Sequence, residues 1–133
     1  MLLQTLNLRD MGLVRIELCD LSLYGHHGVS EQEQKIGGRF VVTLTADINT
    51  SEAALASDRL DGTVDYGAVC SLVCQEFEKP SHLIENVAWR IARRVINRFA
   101  TIASITVRVE KLAPPVGAEC RAAATSIRLE REQ

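Results

Sequence analysis

The sequence predicts an α+β domain built on one four-stranded antiparallel sheet, with two helices on one face. Strand-like segments come in two pairs, one before and one after a pair of helical segments, in the order ββααββ. Two antiparallel hairpins that flank a helix pair favour helices layered on one face of a sheet. The chain has 133 residues, which is enough for one core.

The first half of the chain contains two predicted strands. Apolar and polar residues alternate over 14–24, the pattern of a half-buried strand. A Gly-His-His-Gly segment then breaks the strand, and 30–38 is interpreted as a polar loop. A second strand, rich in β-branched residues, is predicted over 39–48 and is expected to pair antiparallel with the first.

Two helices are predicted next. After an irregular connection with a helical turn at 52–56, a helix runs from Gly67 to about Glu78. A long amphipathic helix follows from Ser81, its predicted N-cap, to about Phe99. Glu85 lies in its first turn, beside an apolar stripe of Leu83, Ile84, Val87, Ala88, Ile91, Val95 and Phe99. The opposite face carries Asn86, Arg90, Arg93 and Asn97.

The last third of the chain contains the second hairpin. Strands are predicted over 102–111 and 120–130, joined by a turn that two prolines make rigid. We assign 13–133 to one domain and expect 1–12 to be a disordered N-terminal extension. A small sheet of this kind has two edge strands, and closing a ring with other subunits is one way to protect them.

Composition excludes several classes of protein. The net charge is −2, with acids and bases interspersed, so a nucleic-acid partner is not expected. The longest apolar runs have the length of strands, so no membrane partner is expected. The N-terminus lacks the features of a signal peptide, which predicts a cytoplasmic protein with reduced thiols. Cys70 and Cys74 could be half of a metal site, but without further ligands nearby we interpret them as small buried residues, and we expect no metal.

The polar residues that could carry chemistry lie at the ends of the predicted elements, where sites usually form. Each also has an ordinary structural explanation. Glu33 could be a solvated loop acid, Tyr66 a half-buried aromatic, and Glu85 an acid that complements the helix dipole. Lys111 could be a lysine at a strand end, and the histidine pair a simple turn. Taken singly, none of these residues indicates a site.

Together, five motifs resemble the dihydroneopterin aldolase family. They are Tyr24-Gly-His-His-Gly28 followed by Glu33, then Thr63-Val-Asp-Tyr66-Gly67, Leu83-Ile-Glu85, Val109-Glu-Lys111, and Pro114-Pro115. The resemblance runs from about Val14 to Leu129. It implies the tunnelling fold, in which ββααββ units join into a tetrameric ring and two rings usually stack into an octamer.

The resemblance also implies a role for each residue. Glu85 would anchor a pterin, aided by the backbone around Leu83, Ile84 and Val64. Lys111 would be the acid/base residue. Glu33 would position the substrate's hydroxyls or an ordered water. Tyr66 would arrive from a neighbouring subunit, lie near the pterin ring and handle the proton at the ring carbon, so the active sites would be shared between subunits.

The implied reaction is the retro-aldol cleavage of 7,8-dihydroneopterin, with epimerase activity as a companion. The dihydropterin's own C=N bond would accept the electrons, so neither a metal nor another cofactor is expected. Two alternatives stay open. One is a dihydroneopterin triphosphate epimerase of the same fold. The other is a non-catalytic pterin- or purine-binding ring that has kept Glu85.

Overall fold

A computed structural model describes residues 13–132. The predicted N-terminal extension, 1–12, lies outside the described residues. The four strands are β1 (Leu13–Gly25), β2 (Gly38–Asn49), β3 (Ile102–Leu112) and β4 (Ala122–Glu130). They form one sheet in the order β1-β2-β3-β4, and every neighbouring pair is antiparallel. The predicted sheet and its first hairpin are therefore confirmed.

Four α-helices accompany the sheet within the described residues. They are α1 (Glu31–Ile36), α2 (Glu52–Ala56), α3 (Tyr66–Phe77) and α4 (Ile84–Arg98), with a turn of 3-10 helix at Leu60–Gly62. The two longer helices, α3 and α4, are the predicted helix pair, and α2 is the predicted helical turn. No helix of residues 13–132 is long and apolar enough to cross a membrane.

The core lies between α3, α4 and one face of the sheet. Alternate residues of β2 from Phe40 to Ile48 are buried, as the period of a strand requires. On α4 the buried residues are Val87, Ala88, Ile91, Ala92, Val95 and Ile96. The predicted stripe is therefore confirmed at its centre and wrong at its N-terminal end, because Leu83 is 51% exposed.

We predicted a polar loop over 30–38, and this prediction is wrong, because the segment contains α1. Ser30 caps this helix because its side chain accepts a hydrogen bond from Glu33 N–H, and the Glu33 side chain in turn accepts one from Ser30 N–H. This reciprocal arrangement is a capping box, which can start even a helix with no buried face. The helix ends at Gly37, whose φ of 78° lies in the region that favours glycine.

Ser81 is not the N-cap of α4. That position is taken by Leu83, and no side chain caps the helix there. Ser81 instead forms a parallel bridge with His27, which ties the turn before α4 to the segment after β1. The helix starts later than predicted because these contacts hold Ser81 outside it.

The pairing register brings several chain ends together at one end of the sheet. Gly25 at the end of β1 lies opposite Gly38 at the start of β2. Lys111, near the end of β3, lies opposite Phe40. The starts of α1 and α4 approach the same end, since Ser81 pairs with His27. Residues from distant parts of the sequence therefore meet there.

Candidate active site

A cleft of about 170 Å³ opens at this end of the sheet. It is lined by Gly28, Val29, Glu33, His82, Leu83, Ile84, Glu85 and Lys111. Five of the seven residues that the sequence singled out for a site therefore lie together: Glu33, Leu83, Ile84, Glu85 and Lys111.

Lys111 and Glu33 form an ion pair inside the cleft. The Lys111 ammonium donates to Glu33 Oε2 and, at 2.9 Å, to the backbone carbonyl of His27. The Lys111 ammonium and the Ser30 N–H hold the pKa of Glu33 below its usual value. Glu33 therefore stays ionised at neutral pH and can accept hydrogen bonds from a ligand.

The capping box of α1 orients the Glu33 carboxylate. Its Oε1 accepts from Ser30 N–H at 3.2 Å and from Ser30 Oγ at 3.0 Å, which leaves Oε2 for Lys111. Gly28 allows this arrangement, because a Cβ at that position would lie 2.7 Å from Glu33 Oε2 and closer still to Glu33 Cβ. Any larger residue would therefore displace the carboxylate.

Glu85 projects from the start of α4 into the same cleft. Its carboxylate is exposed and accepts no hydrogen bond from the other described residues. The backbone there is extended at Leu83 (φ −119°, ψ 138°), and no side chain caps the helix. The first N–H groups of an α-helix have no partner within it, so Ile84 and Glu85 present backbone donors beside the carboxylate.

His82 lies at the rim of the cleft and is linked to α1. The Gln34 side-chain amide contacts His82 Nδ1 at 2.7 Å and donates to the Gly28 carbonyl at 3.0 Å. Gln34 thereby joins three segments that line the cleft. Neither residue could be singled out from the sequence, because each lies outside the apolar pattern.

Val64 and Tyr66, the remaining two predicted site residues, do not line this cleft. Val64 is in the core, with 2% of its surface exposed. Tyr66 begins α3 and is 65% exposed. Asp65 caps that helix, since its carboxylate accepts from Gly67 N–H at 2.9 Å. The contribution of Tyr66 to a neighbouring subunit's site and that of the Val64 backbone to pterin recognition stay predictions.

A buried ion pair that we did not predict supports the turn before α4. Glu76 on α3 is only 6% exposed and accepts from Arg90 and Arg94 of α4 at 2.9 and 2.8 Å. Burial pushes the pKa of Glu76 up, but the hydrogen bonds from these arginines outweigh it and hold the pKa low. Arg90, on the face opposite the apolar stripe, is therefore mostly covered, with 18% of its side chain exposed. Glu76 follows Val73 by three positions on the buried side of α3, a spacing that could have indicated the pair.

The predicted buried state of Cys70 and Cys74 is only partly correct, because both are half-buried. Burial, together with Cys70 beside it, raises the pKa of the Cys74 thiol. Within residues 13–132, no group of three His, Cys, Asp or Glu side chains is placed to hold a metal ion. The cysteine pair therefore does not extend into a larger ligand set.

The α+β fold carries at one end of its sheet a cleft with two carboxylates and one ammonium, a set of groups typical of enzymes that transfer protons on small molecules. A family model for dihydroneopterin aldolase (FolB) matches residues 16–128. The dihydroneopterin aldolase of Bacillus subtilis (strain 168) is 36% identical over 109 residues, which are 80% of this chain and 89% of that protein. The chain belongs to the dihydroneopterin aldolase family.

Solved structures agree on the fold. The E. coli dihydroneopterin aldolase in complex with neopterin superimposes with a TM-score of 0.76 at 20% identity, over 87% of this chain and 98% of that one. The Burkholderia thailendensis dihydroneopterin aldolase bound to guanine gives a TM-score of 0.72 at 20% identity, over 96% and 98%. The resemblance seen in the sequence, the α+β fold and the enzyme class, an aldehyde-lyase, are thereby confirmed.

Proposed function

We propose that this chain is a dihydroneopterin aldolase, which cleaves 7,8-dihydroneopterin into 6-hydroxymethyl-7,8-dihydropterin and glycolaldehyde. The observation that carries the proposal is one cleft that holds both an ionised Glu33–Lys111 pair and the unpartnered Glu85. The Glu33–Lys111 pair supplies groups for proton transfer. Glu85 supplies an anchor for a flat, hydrogen-bonding ring.

Glu85 and the start of α4 complement the edge of a pterin. The 2-amino and ring N–H donors of a pterin are parallel, so a carboxylate accepts both in a fork. The adjacent ring oxygen can accept from the free backbone N–H groups that open α4. Neopterin and guanine, the ligands in the two structural relatives, share this pattern of amino group, ring N–H and carbonyl. The backbone around Leu83, Ile84 and Val64 would complete the recognition of this edge.

The reaction breaks the bond between the first and second carbons of the side chain. Removal of the proton from the second carbon's hydroxyl turns that carbon into the aldehyde of glycolaldehyde. The bond's electrons move into the C=N bond of the dihydropterin, and a proton delivered next to the ring restores it. We assign acceptance of the hydroxyl proton to the neutral amine form of Lys111, acting through an ordered water, and the positioning of the hydroxyls to Glu33. The ammonium beside Glu33 is the form that results, and it gives up the same proton later in the cycle. Proton transfers of this kind contribute roughly 10²–10⁴-fold.

Tyr66 of a neighbouring subunit would manage the proton beside the ring. Its 65% exposure supports this role, because a partner subunit can reach it. The cleavage can also run in reverse. If glycolaldehyde rotates and presents its other face before the carbon–carbon bond forms again, the same residues epimerise the side chain. We therefore include an accompanying epimerase activity.

The charge of the cleft favours the aldolase over a triphosphate epimerase. Among the described residues that line it, Glu33 and Glu85 oppose one ammonium, and no arginine is present. Such a cleft repels a triphosphate, whose charge would need several basic partners. An unphosphorylated side chain meets no such repulsion.

We further propose a tetrameric ring, usually doubled to an octamer, in the cytoplasm. The sheet leaves β1 and β4 as edges, and joining edges of neighbouring subunits would cover them. All four cysteines are unpaired, which fits a reducing compartment. The mass of the native protein, measured by multi-angle light scattering, tests the assembly.

A turnover assay with two substrates tests the activity. Purified protein with 7,8-dihydroneopterin should release glycolaldehyde, and EDTA should not change the rate. Epimerisation of the triphosphate without cleavage would establish the epimerase instead. Tight pterin binding with neither reaction would establish a non-catalytic pterin-binding ring.

A further inference from the structure

We infer that His27 is a positioning residue: with Ser81 and Arg90 it fixes the backbone carbonyl that holds the Lys111 ammonium in the cleft. This inference rests on the proposed acid/base role of Lys111. It concerns residues outside the cleft's reacting groups and assigns them a measurable effect on turnover.

The His27 side chain is fixed in the core by ring packing and by one hydrogen bond at Nδ1, while its buried Nε2 has no hydrogen-bond partner among the described residues. It is 1% exposed, and its ring packs edge-to-face against Phe40 and Phe77, with centroids 5.2 and 4.4 Å away. Its Nδ1 accepts a hydrogen bond from Ser81 N–H at 3.1 Å. A backbone N–H only donates, so Nδ1 carries no proton and the ring is neutral.

The backbone of the same residue faces Lys111. Gly28 N–H donates to the Ser81 carbonyl at 2.9 Å, so the segment 27–28 is tied to Ser81 by two bonds, one of them through the imidazole. The His27 carbonyl then accepts from Lys111 Nζ at 2.9 Å. Loss of the imidazole acceptor would leave the Ser81 N–H buried without a partner and would loosen this segment.

Arg90 uses all five of its N–H donors around the turn before α4, and one of them reaches Ser81. Nη2 donates to Ser81 Oγ at 2.7 Å and to the Lys79 carbonyl at 2.9 Å. Nη1 donates to the Glu76 carbonyl and to Glu76 Oε1, at 2.8 and 2.9 Å, and Nε donates to Asn86 Oδ1 at 3.1 Å. A guanidinium fork that is fully used is rigid, so it fixes the turn that carries Ser81.

Lysine needs such support because its side chain has many rotamers. Two acceptors, Glu33 Oε2 and the His27 carbonyl, place Nζ. With only one of them secure, the ammonium would spend less time in the reactive position, and small misplacements reduce proton transfer strongly. Pterin binding at Glu85 would change little, since Glu85 makes none of these contacts.

Two substitutions of His27 separate its acceptor from its packing. His27→Phe keeps an aromatic ring but removes Nδ1, whereas His27→Asn restores an acceptor for Ser81 N–H. We expect His27→Phe to lower kcat by about tenfold or more, with the pterin Kd changed by less than about threefold, and His27→Asn to recover most of the loss. Equal kcat for both variants, or a parallel loss of binding and turnover in His27→Phe, would overturn the inference.

A second pair of variants decides the matter if His27→Phe does not fold. Ser81→Ala removes the hydroxyl that Arg90 holds, and the matched control Ser104→Ala removes another buried hydroxyl, which donates to Asp47 at 3.2 Å. Ser104 lies seven residues along β3 from Lys111, roughly 23 Å away at ~3.3 Å per residue. Only Ser81→Ala should lower kcat, by about threefold. The same kcat in both variants would contradict the positioning role of His27, Ser81 and Arg90.

A readout without turnover separates this inference from the proposed function. The chain has three lysines, at 35, 79 and 111, so the 13Cε NMR signal of Lys111 can be assigned with Lys111→Ala. His27→Phe should move the pH titration of that signal, His27→Asn should restore it, and Ser104→Ala should leave it unchanged. An unmoved signal in His27→Phe refutes the positioning role. An inactive native protein refutes the proposed function alone.

Discussion

Gly28 is the smallest residue in the cleft and one of the most constrained. A Cβ there would overlap Glu33, whose carboxylate is also held by Ser30 and Lys111 and has little freedom to retreat. We expect Gly28→Ala to lower kcat by about tenfold or more, because Glu33 and Lys111 would separate.

The matched control for this substitution is Gly38→Ala. A Cβ at Gly38 meets nothing within 4 Å. Steady-state kinetics should therefore show kcat within about twofold of the native value for this variant. Equal losses in both variants would mean that Gly28 acts on general stability rather than on Glu33.

Lys111 and Glu85 lie in one cleft but should separate in kinetics. Lys111→Ala removes a group for proton transfer, so kcat should fall by about 10²-fold or more while pterin affinity changes little. Glu85→Ala removes the fork that accepts two ring donors, so affinity should fall first, by about 10²-fold. Fluorescence titration with a pterin gives the affinities. Equal loss of binding and turnover in Lys111→Ala would contradict its assigned role.

The stability of the interface between α3 and α4 depends on the buried carboxylate of Glu76. Glu76 links the two helices through Arg90 and Arg94, and its neutral replacement by glutamine leaves both arginines without an anion. We expect Glu76→Gln to lower the free energy of unfolding by about 2–3 kcal/mol in urea titrations. Glu130→Gln, which breaks the exposed pair with Arg128, should change it by less than about 0.5 kcal/mol.

Elements with a long periodic pattern were predictable, and those fixed by short polar signals or distant contacts were not. β1, β2, β3 and α4 follow from alternation and helical spacing, because burial of one face determines them. α1 has no buried residue, so only its capping box could have indicated it. The start of α4 depends on Ser81 contacting His27, 54 residues earlier, which no local pattern encodes.

The same distinction applies to the site. Glu33, Glu85 and Lys111 were found because several motifs occur together, and the structure places all three in one cleft. Gly28 and His27 looked like parts of a turn. Their constraint comes from side chains that pack on them only in the folded chain, so the sequence alone could not rank them.

The pH dependence of the whole molecule's stability should carry a contribution from His27. Burial, with Arg90 next in importance, lowers the pKa of His27 from 6.5 to about 4. The unfolded chain therefore binds a proton between these values that the folded chain does not. This contribution is fully present above pH 6.5 and is lost as the pH falls towards 4.

We expect this loss to be about 2 kcal/mol across that window. Urea titrations at a series of pH values measure it, and His27→Asn, which has no titrating ring, provides the reference. Below the window, Glu33, Asp47, Glu76 and Glu110 add further losses, because the pKa of each is lowered in the folded chain. If the free energy of unfolding depends on pH in the same way in the native protein and in His27→Asn, the buried imidazole of His27 is not held neutral.

Because no side chain caps α4, the backbone N–H groups at its start stay free to donate to a ligand. A serine or aspartate at position 83 would accept hydrogen bonds from these N–H groups through its side-chain oxygen. The ligand would then have to displace that side chain in order to bind them. We expect Leu83→Ser to raise the free energy of unfolding by about 0.5–1 kcal/mol and to weaken pterin binding several-fold. Thermal melts and pterin titrations on the same variant measure both effects, and a stabilised variant with native affinity would show that the ligand does not use those donors.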